Sequence, residues 1–137
     1  MHTHEIISTH PAARGAIDPA LVACIEALFD CAQSCTTCAD ACLAEDSVAA
    51  LRQCIRLDQD CADLCVATGR ILSRRTGADA PTLKTVLETC AELCRACAAE
   101  CERHAAHHVH CRVCAEVCRR CEQACGTTSG AIVPAVH

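Results

Sequence analysis

The stretch from Leu21 to Cys42, LVACIEALFDCAQSCTTCADAC, decides how the whole chain is read. Within it Leu21, Cys24, Leu28, Cys31, Cys35, Cys38 and Cys42 step by threes and fours, the spacing that holds every member on one face of an α-helix. The rhythm returns three times. A second seam runs Leu51, Cys54, Asp58, Cys61, Cys65, Thr68, Leu72; a third runs Leu83, Leu87, Cys90, Cys94, Cys97, Cys101, His104; a fourth runs His107, Cys111, Cys114, Cys118, Cys121, Cys125. All 17 cysteines fall in these four seams, at positions where a helical bundle ordinarily carries Leu and Ile. The spacing predicts an all-α fold, an antiparallel up-down-up-down four-helix bundle with a Cys-lined core.

Helix punctuation divides the chain at four places. Asp18-Pro19 offers an N-cap with proline at the first helical position, and the first pattern continues to about Glu45. Asp46 and Ser47 are placed to cap the second helix, which should run to about Arg75, with Arg70, Arg74 and Arg75 near its C-terminal dipole and Gly77 as its stop. The third should open at Ala80-Pro81 and reach about Arg103. The fourth should begin in the His-rich stretch and end at Cys125, with Gly126 in the left-handed C′ position. The expected organisation is an N-terminal segment at 1–17, a bundle at 18–126 and a loose C-terminal tail at 127–137. Pro11 and Gly15 weaken a short helix or strap before Asp18.

Composition narrows the function. The 137 residues are 52% hydrophobic, but Ala and Cys supply much of this and Phe29 is the only aromatic. Interiors are close-packed, so small residues at core positions imply that something other than side chains helps to fill this one. A net charge of −5, with Arg112, Arg119 and Arg120 interleaved with Glu116 and Glu122, argues against nucleic acid. No run of about 18 apolar residues stands out for a membrane span. The start, MHTHEIISTHPAARG, lacks the basic and apolar segments of a secretory leader, so a cytoplasmic location is expected. The cytoplasm keeps thiols reduced, and an odd number of cysteines leaves one unpaired; metal binding is therefore preferred over a disulfide framework.

Seven pairs share the spacing Cys-x3-Cys: Cys31/Cys35, Cys38/Cys42, Cys61/Cys65, Cys90/Cys94, Cys97/Cys101, Cys114/Cys118 and Cys121/Cys125. Side chains four apart on a helix have Cβ atoms about 5 to 6 Å apart, so two thiolates of one helix can grip one ion. Two-coordination by soft ligands suits Cu(I), whereas Zn²⁺ asks for a tetrahedron. Each Cu⁺ also cancels one thiolate charge, so about one ion per thiol leaves the lumen nearly neutral. Such capacity means storage, not the few open-coordinated ions of an enzyme. An iron–sulfur electron carrier, prompted by Cys111-x2-Cys114-x3-Cys118, and a general zinc or cadmium thiolate buffer are the alternatives. Redox sensing is disfavoured by helical i, i+4 geometry.

The two ends of such a bundle differ. One gathers Leu21, Leu72, Leu83 and Leu87 into an apolar plug. The other gathers Cys42, Cys54, Cys101 and Cys111 with His104, His107, His108 and His110, and is expected to be where metal enters. His104 and His107 extend two thiolate seams, three after Cys101 and four before Cys111; His108 is the further candidate ligand. His2, His4 and His10 read as residues of the N-terminal segment. Asp58 is the polar member of its seam and either binds incoming metal or hydrogen-bonds within the lumen.

Over residues 18 to 126, the repeated Cys-x3-Cys pairs and the histidines of CERHAAHHVHC resemble the bacterial copper storage proteins, in their cytosolic branch. The resemblance implies a homotetramer of four-helix bundles, each holding many Cu(I) ions on internal thiolates and filled through a histidine-bearing mouth. Copper donor or acceptor proteins are the further partners expected. Cys24 and Cys54 depart from the pattern, with Leu28 and Asp58 where a thiol four residues on would stand.

Overall fold

The structure is a computed structural model and describes residues 1–13 and 17–132. A short helix, α1 (Thr3–Ser8), precedes the four long ones: α2 (Pro19–Leu43), α3 (Arg52–Ser73), α4 (Ala80–His104) and α5 (Val109–Ala131). Asp18 caps α2 as its position before proline predicts, its Oδ1 accepting from the Ala20 N–H at 2.9 Å. Asp79 does the same for α4 through the Thr82 N–H at 3.2 Å. Gly77 sits at φ +64 in the link between α3 and α4, a conformation that glycine adopts without Cβ strain.

Four boundaries differ from the sequence reading, the first being the end of α2 at Leu43 rather than near Glu45. Asp46 and Ser47 do not cap α3 directly; a 3-10 turn at Val48–Leu51 comes first, and Ser47 makes no side-chain cap. It buries Leu51 while turning the chain back from α2 into α3. Helix α3 ends at Ser73 rather than at Arg75. Gly126 is not a stop: α5 continues to Ala131, carrying Thr128 and Ser129 into buried positions. A single glycine costs a helix about 1 kcal/mol against alanine, which burial of the following turn offsets. The expected tail thus begins as the end of α5, and its residues 133–137 lie outside the described residues.

Helix α2 packs against α3 and α5, and α4 packs against the same two, so the four form a square. Neighbours run antiparallel. Between α3 and α4, Cys54 meets Cys101, Cys61 meets Cys94 and Cys65 meets Cys90. Between α2 and α5, Cys31 meets Cys118 and Cys42 meets Cys111. The expected up-down-up-down bundle is the one observed.

The core is a column of cysteines closed by aliphatics. All 17 cysteines are buried and free, and among the described residues the largest fully buried hydrophobics are Ile25, Leu28, Leu51, Leu72 and Leu87. Leu72 and Leu87 form the plug with half-buried Leu21 and Leu83, and α1 adds Ile7 to the same cluster. The solitary Phe29 lies over Gly69, where a Cβ would stand 3.0 Å from its ring. Sulfur packs against sulfur, so the interior that looked too small for its helices is filled by close thiol contact. By length and composition α2 is apolar enough to cross a bilayer, contrary to the sequence reading, but its cysteines, Ile25 and Leu28 are turned into the bundle.

Candidate metal centre

Each wall of the lumen is one seam, and the helices hold the sulfurs at coordination distance. Three of the same-helix pairs are within hydrogen-bond range: Cys31/Cys35 at 3.8 Å, Cys61/Cys65 at 3.9 Å and Cys114/Cys118 at 3.9 Å. Contacts between helices are as short or shorter. Cys35 and Cys118 stand 3.4 Å apart, Cys54 and Cys101 3.5 Å, and Cys61 and Cys94 3.7 Å. The i, i+4 spacing therefore finds three of the close sulfur pairs but understates the geometry, because a square bundle brings facing walls as close as successive turns.

Groups of ligand atoms within 4.8 Å of one another make this explicit. One set takes a sulfur from every wall: Cys31, Cys65, Cys94 and Cys121. Others are Cys31, Cys35, Cys61, Cys118; Cys35, Cys97, Cys114, Cys118; Cys38, Cys42, Cys54, Cys111; and Cys38, Cys54, Asp58, Cys101. Cys31, Cys35, Cys38, Cys54 and Cys118 each belong to two of these sets, so neighbouring ions would share sulfurs. Cys54, which lacks a thiol four residues on, finds Cys101 and Asp58 instead. Cys24 likewise finds Cys125 across the closed end.

Electrostatics favour a monovalent soft cation. Among the described residues no Lys or Arg is buried; the buried polar side chains are Thr3, Asp58, Thr68, Glu100, Thr128 and Ser129. A Zn²⁺ held by four thiolates carries a net charge of about −2, and several stacked without counter-charge would be costly. One Cu⁺ per thiolate incurs no such penalty. In the metal-free chain the sulfurs lie within S–H hydrogen-bond reach of one another, and their surroundings push individual thiols in opposite directions. Burial pushes Cys111 up to about 11 and raises Cys42 as well, whereas S–H donors, Cys101 first and then Cys38, favour the thiolate of Cys54.

Asp58 occupies a node inside the lumen. Its Oδ1 accepts from Cys97 at 3.1 Å, Cys114 at 3.3 Å and Cys101 at 3.5 Å, and its Oδ2 faces Cys54 at 3.9 Å. Burial, then the neighbouring Cys114 and Cys54 sulfurs, raises its pKa from 3.8 to about 8. Both roles foreseen for it are compatible with this geometry, since the carboxylate is hydrogen-bonded and also lies within a ligand set.

At the mouth the histidines are arranged differently from their spacing. His107 lies in the turn before α5 and is exposed, because α5 begins at Val109 with His108 as its N-cap. The four-residue offset from His107 to Cys111 is thus not a helical offset, and the imidazole does not continue the seam. His104 closes α4 and pairs with Glu100 at 3.2 Å rather than with a thiol. His108 Nδ1 lies 3.3 Å from Glu45 and its Nε2 3.4 Å from Ser47. It is His110 that reaches sulfur, with Nδ1 3.4 Å from Cys38 and 3.6 Å from Cys111. The legible signal was its place four residues before Cys114, inside α5. Glu45 and Glu100, the acids of this rim, carried no sequence signal beyond Glu100 standing four before His104. His10, in the N-terminal segment, accepts from the Ala12 N–H at 3.0 Å and takes no part in the lumen.

A lumen of shared thiolate sets under a histidine rim can now be set beside known proteins. The sequence profile of the copper storage proteins matches residues 18–130. The chain belongs to the copper storage protein family. Its bundle superposes on the solved structure of the copper storage protein Ccsp of Streptomyces lividans loaded with 10 copper equivalents, with a TM-score of 0.90 and 53% identity, covering 93% of this chain and 98% of that one. It also resembles Cu(I)-bound copper storage protein 3 of Bacillus subtilis, with a TM-score of 0.69 and 38% identity over 78% of this chain and 95% of that one. The uncharacterized cysteine-rich protein YhjQ of Bacillus subtilis strain 168 is 40% identical over 90 residues, 66% of this chain and 78% of that protein. The family match extends past Gly126, in keeping with the extra length of α5.

Proposed function

We propose that this protein stores Cu(I) in bulk on the thiolates of its lumen, taking ions in past His110 and passing them down the column of shared sulfurs. The observation that carries this reading is the overlap of the thiolate sets: an ion in one set lies against sulfurs of the next, so occupancy can propagate along the bundle. The Cu(I)-bound and copper-loaded relatives support the same metal.

Chemically, each thiol must give up its proton to bind Cu(I), and the two ends of the upper lumen supply help. His110 offers an imidazole nitrogen to an arriving ion between Cys38 and Cys111. Asp58, its pKa raised to about 8, exchanges its proton readily near neutral pH and can relay outward the protons that Cys97, Cys101 and Cys114 release as copper replaces them. Overlapping thiolate sets that together span the lumen give many equivalent positions for one soft ion, the capacity that storage asks for. A cytosolic location accords with the relative described as a cytosolic copper storage protein of Streptomyces lividans. Assembly as a homotetramer is carried by the resemblance alone. Anomalous X-ray scattering at the copper edge from Cu(I)-loaded crystals tests the reading. Peaks should run along the bundle axis between cysteine sulfurs; copper confined to the outer surface would contradict it.

A further inference from the structure

Two buried hydroxyls at the closed end have no nitrogen or oxygen partner among the described residues. Thr68 and Thr128 are 0% and 9% exposed, their Oγ1 atoms are shielded from solvent, and neither makes a hydrogen bond to nitrogen or oxygen. Helical threonines and serines ordinarily escape this by donating to the carbonyl four residues back. They do so elsewhere here: Thr36 to Ala32 at 2.8 Å, Thr89 to Thr85 at 2.9 Å, and Ser73 to Gly69 at 2.7 Å. Thr68 and Thr128 forgo that bond. Thr68 stands in the α3 seam beside Cys90, and Thr128 stands beside Cys24 on the last turn of α5.

The neighbours explain the cost. Cys24, Cys90 and Cys125 are the lowest thiols of the column, and Cys125 lies against both others. The carboxylate of Asp58 and the imidazole of His110 serve the opposite half of the lumen. A neutral thiol is a weak acceptor, so in the metal-free protein the two hydroxyls remain close to unsatisfied. A thiolate that has exchanged its proton for Cu(I) is negatively charged and accepts a strong, charge-assisted hydrogen bond. We propose that Thr68 and Thr128 are hydrogen-bond donors to the copper-bound thiolates of Cys90 and Cys24, a pair of positioning residues that favours the loaded state of the closed end over the empty one. This rests on the storage reading. The stability lost to orphaned hydroxyls in the empty protein is recovered when copper arrives, so the closed end is tuned to hold its ions tightly.

Valine is the shape-matched substitution without a hydroxyl, and the test uses the full chain, reduced and anaerobic, both metal-free and loaded. Thr68→Val, Thr128→Val and the double variant should melt at the same temperature as the parent or higher when metal-free, because an unpaired buried polar group has been removed. When loaded they should melt lower than the loaded parent. In competition with a Cu(I) chelator they should release their closed-end ions at roughly tenfold lower chelator concentration. Thr68→Ser, which keeps a hydroxyl, should restore retention. A fall in metal-free stability would overturn the proposal by showing that the hydroxyls already have partners there. So would unchanged retention, or loss of retention without restoration by serine. A parent that binds no copper in the lumen would instead sink the storage reading itself, and the two failures are told apart by the parent's own titration.

Discussion

Glu45 holds His110 from behind: its Oε1 lies 3.2 Å from Nε2 of the imidazole whose Nδ1 faces Cys38 and Cys111. A carboxylate only accepts, so Nε2 carries the proton and Nδ1 presents its lone pair to the lumen. The same carboxylate reaches His108, 3.3 Å away, and the two rings stack with centroids 5.5 Å apart. Such carboxylate–histidine pairs orient metal ligands and raise their basicity. His110→Ala should slow the first phase of Cu(I) loading about tenfold or more, and Glu45→Ala should slow it less, with final capacity unchanged in both. Stopped-flow loading from a Cu(I) complex measures this. Because Glu45 acts through His110, the double variant should load no more slowly than His110→Ala; additive losses would mean that Glu45 works independently.

Asp58 gives the empty protein a pH dependence of defined sign. Its pKa rises from 3.8 to about 8 on folding. The unfolded chain therefore releases this proton at lower pH than the folded one, and the group's contribution to stability, full below pH 4, is lost as pH rises towards 8. The slope approaches about 1.4 kcal/mol per pH unit within that window. Asp58→Asn should remove it. Denaturant unfolding of reduced, metal-free protein at pH 5 and 7.5 should show the variant gaining on the parent at the higher pH; equal differences at both would refute a buried, raised carboxyl.

Loading should acidify the solution. An ordinary thiol is mostly protonated at neutral pH, and burial raises Cys42 and Cys111 further. Each Cu(I) should then release up to about one proton, less at sulfurs such as Cys54, Cys61, Cys114 and Cys121, where neighbouring S–H donors favour the thiolate. Anaerobic loading in weak buffer with an indicator reads this directly. Near-zero release would mean a lumen of preformed thiolates.

Copper should also stabilise the bundle strongly. The apolar core reduces to a few aliphatics near the ends, among them Leu28, Leu72 and Leu87, each worth about 1.5 to 3 kcal/mol when buried. Ligands that bind only the folded state add stability by mass action. Calorimetry should find a melting temperature that climbs with each increment of Cu(I), and a loaded form that melts no higher than the empty one would contradict binding inside the lumen.

Much of this was legible from the cysteines. Their threes and fours fix both helix phase and the inward face, so the four seams, the bundle and the leucine plug follow from Leu21, Cys24, Cys31 and their counterparts. What failed to read out depended on where helices stop. His107 looked in register with Cys111 only if α5 began before it, and the turn at 105–107 moves it to the surface while placing His110 over Cys38. Gly126 looked like a terminator because helix propensity ignores the burial of Thr128 and Ser129 beyond it. Contacts between walls, such as Cys35 with Cys118, are properties of the assembled square and have no signature in local spacing.

The most direct test is anaerobic titration of the reduced, metal-free protein with Cu(I) in the presence of a competing chelator, with bound copper counted per chain. Storage on shared thiolates predicts saturation at a number of ions of the order of the 17 cysteines, without free Cu(I) until that point. Saturation at one to four ions per chain would contradict it.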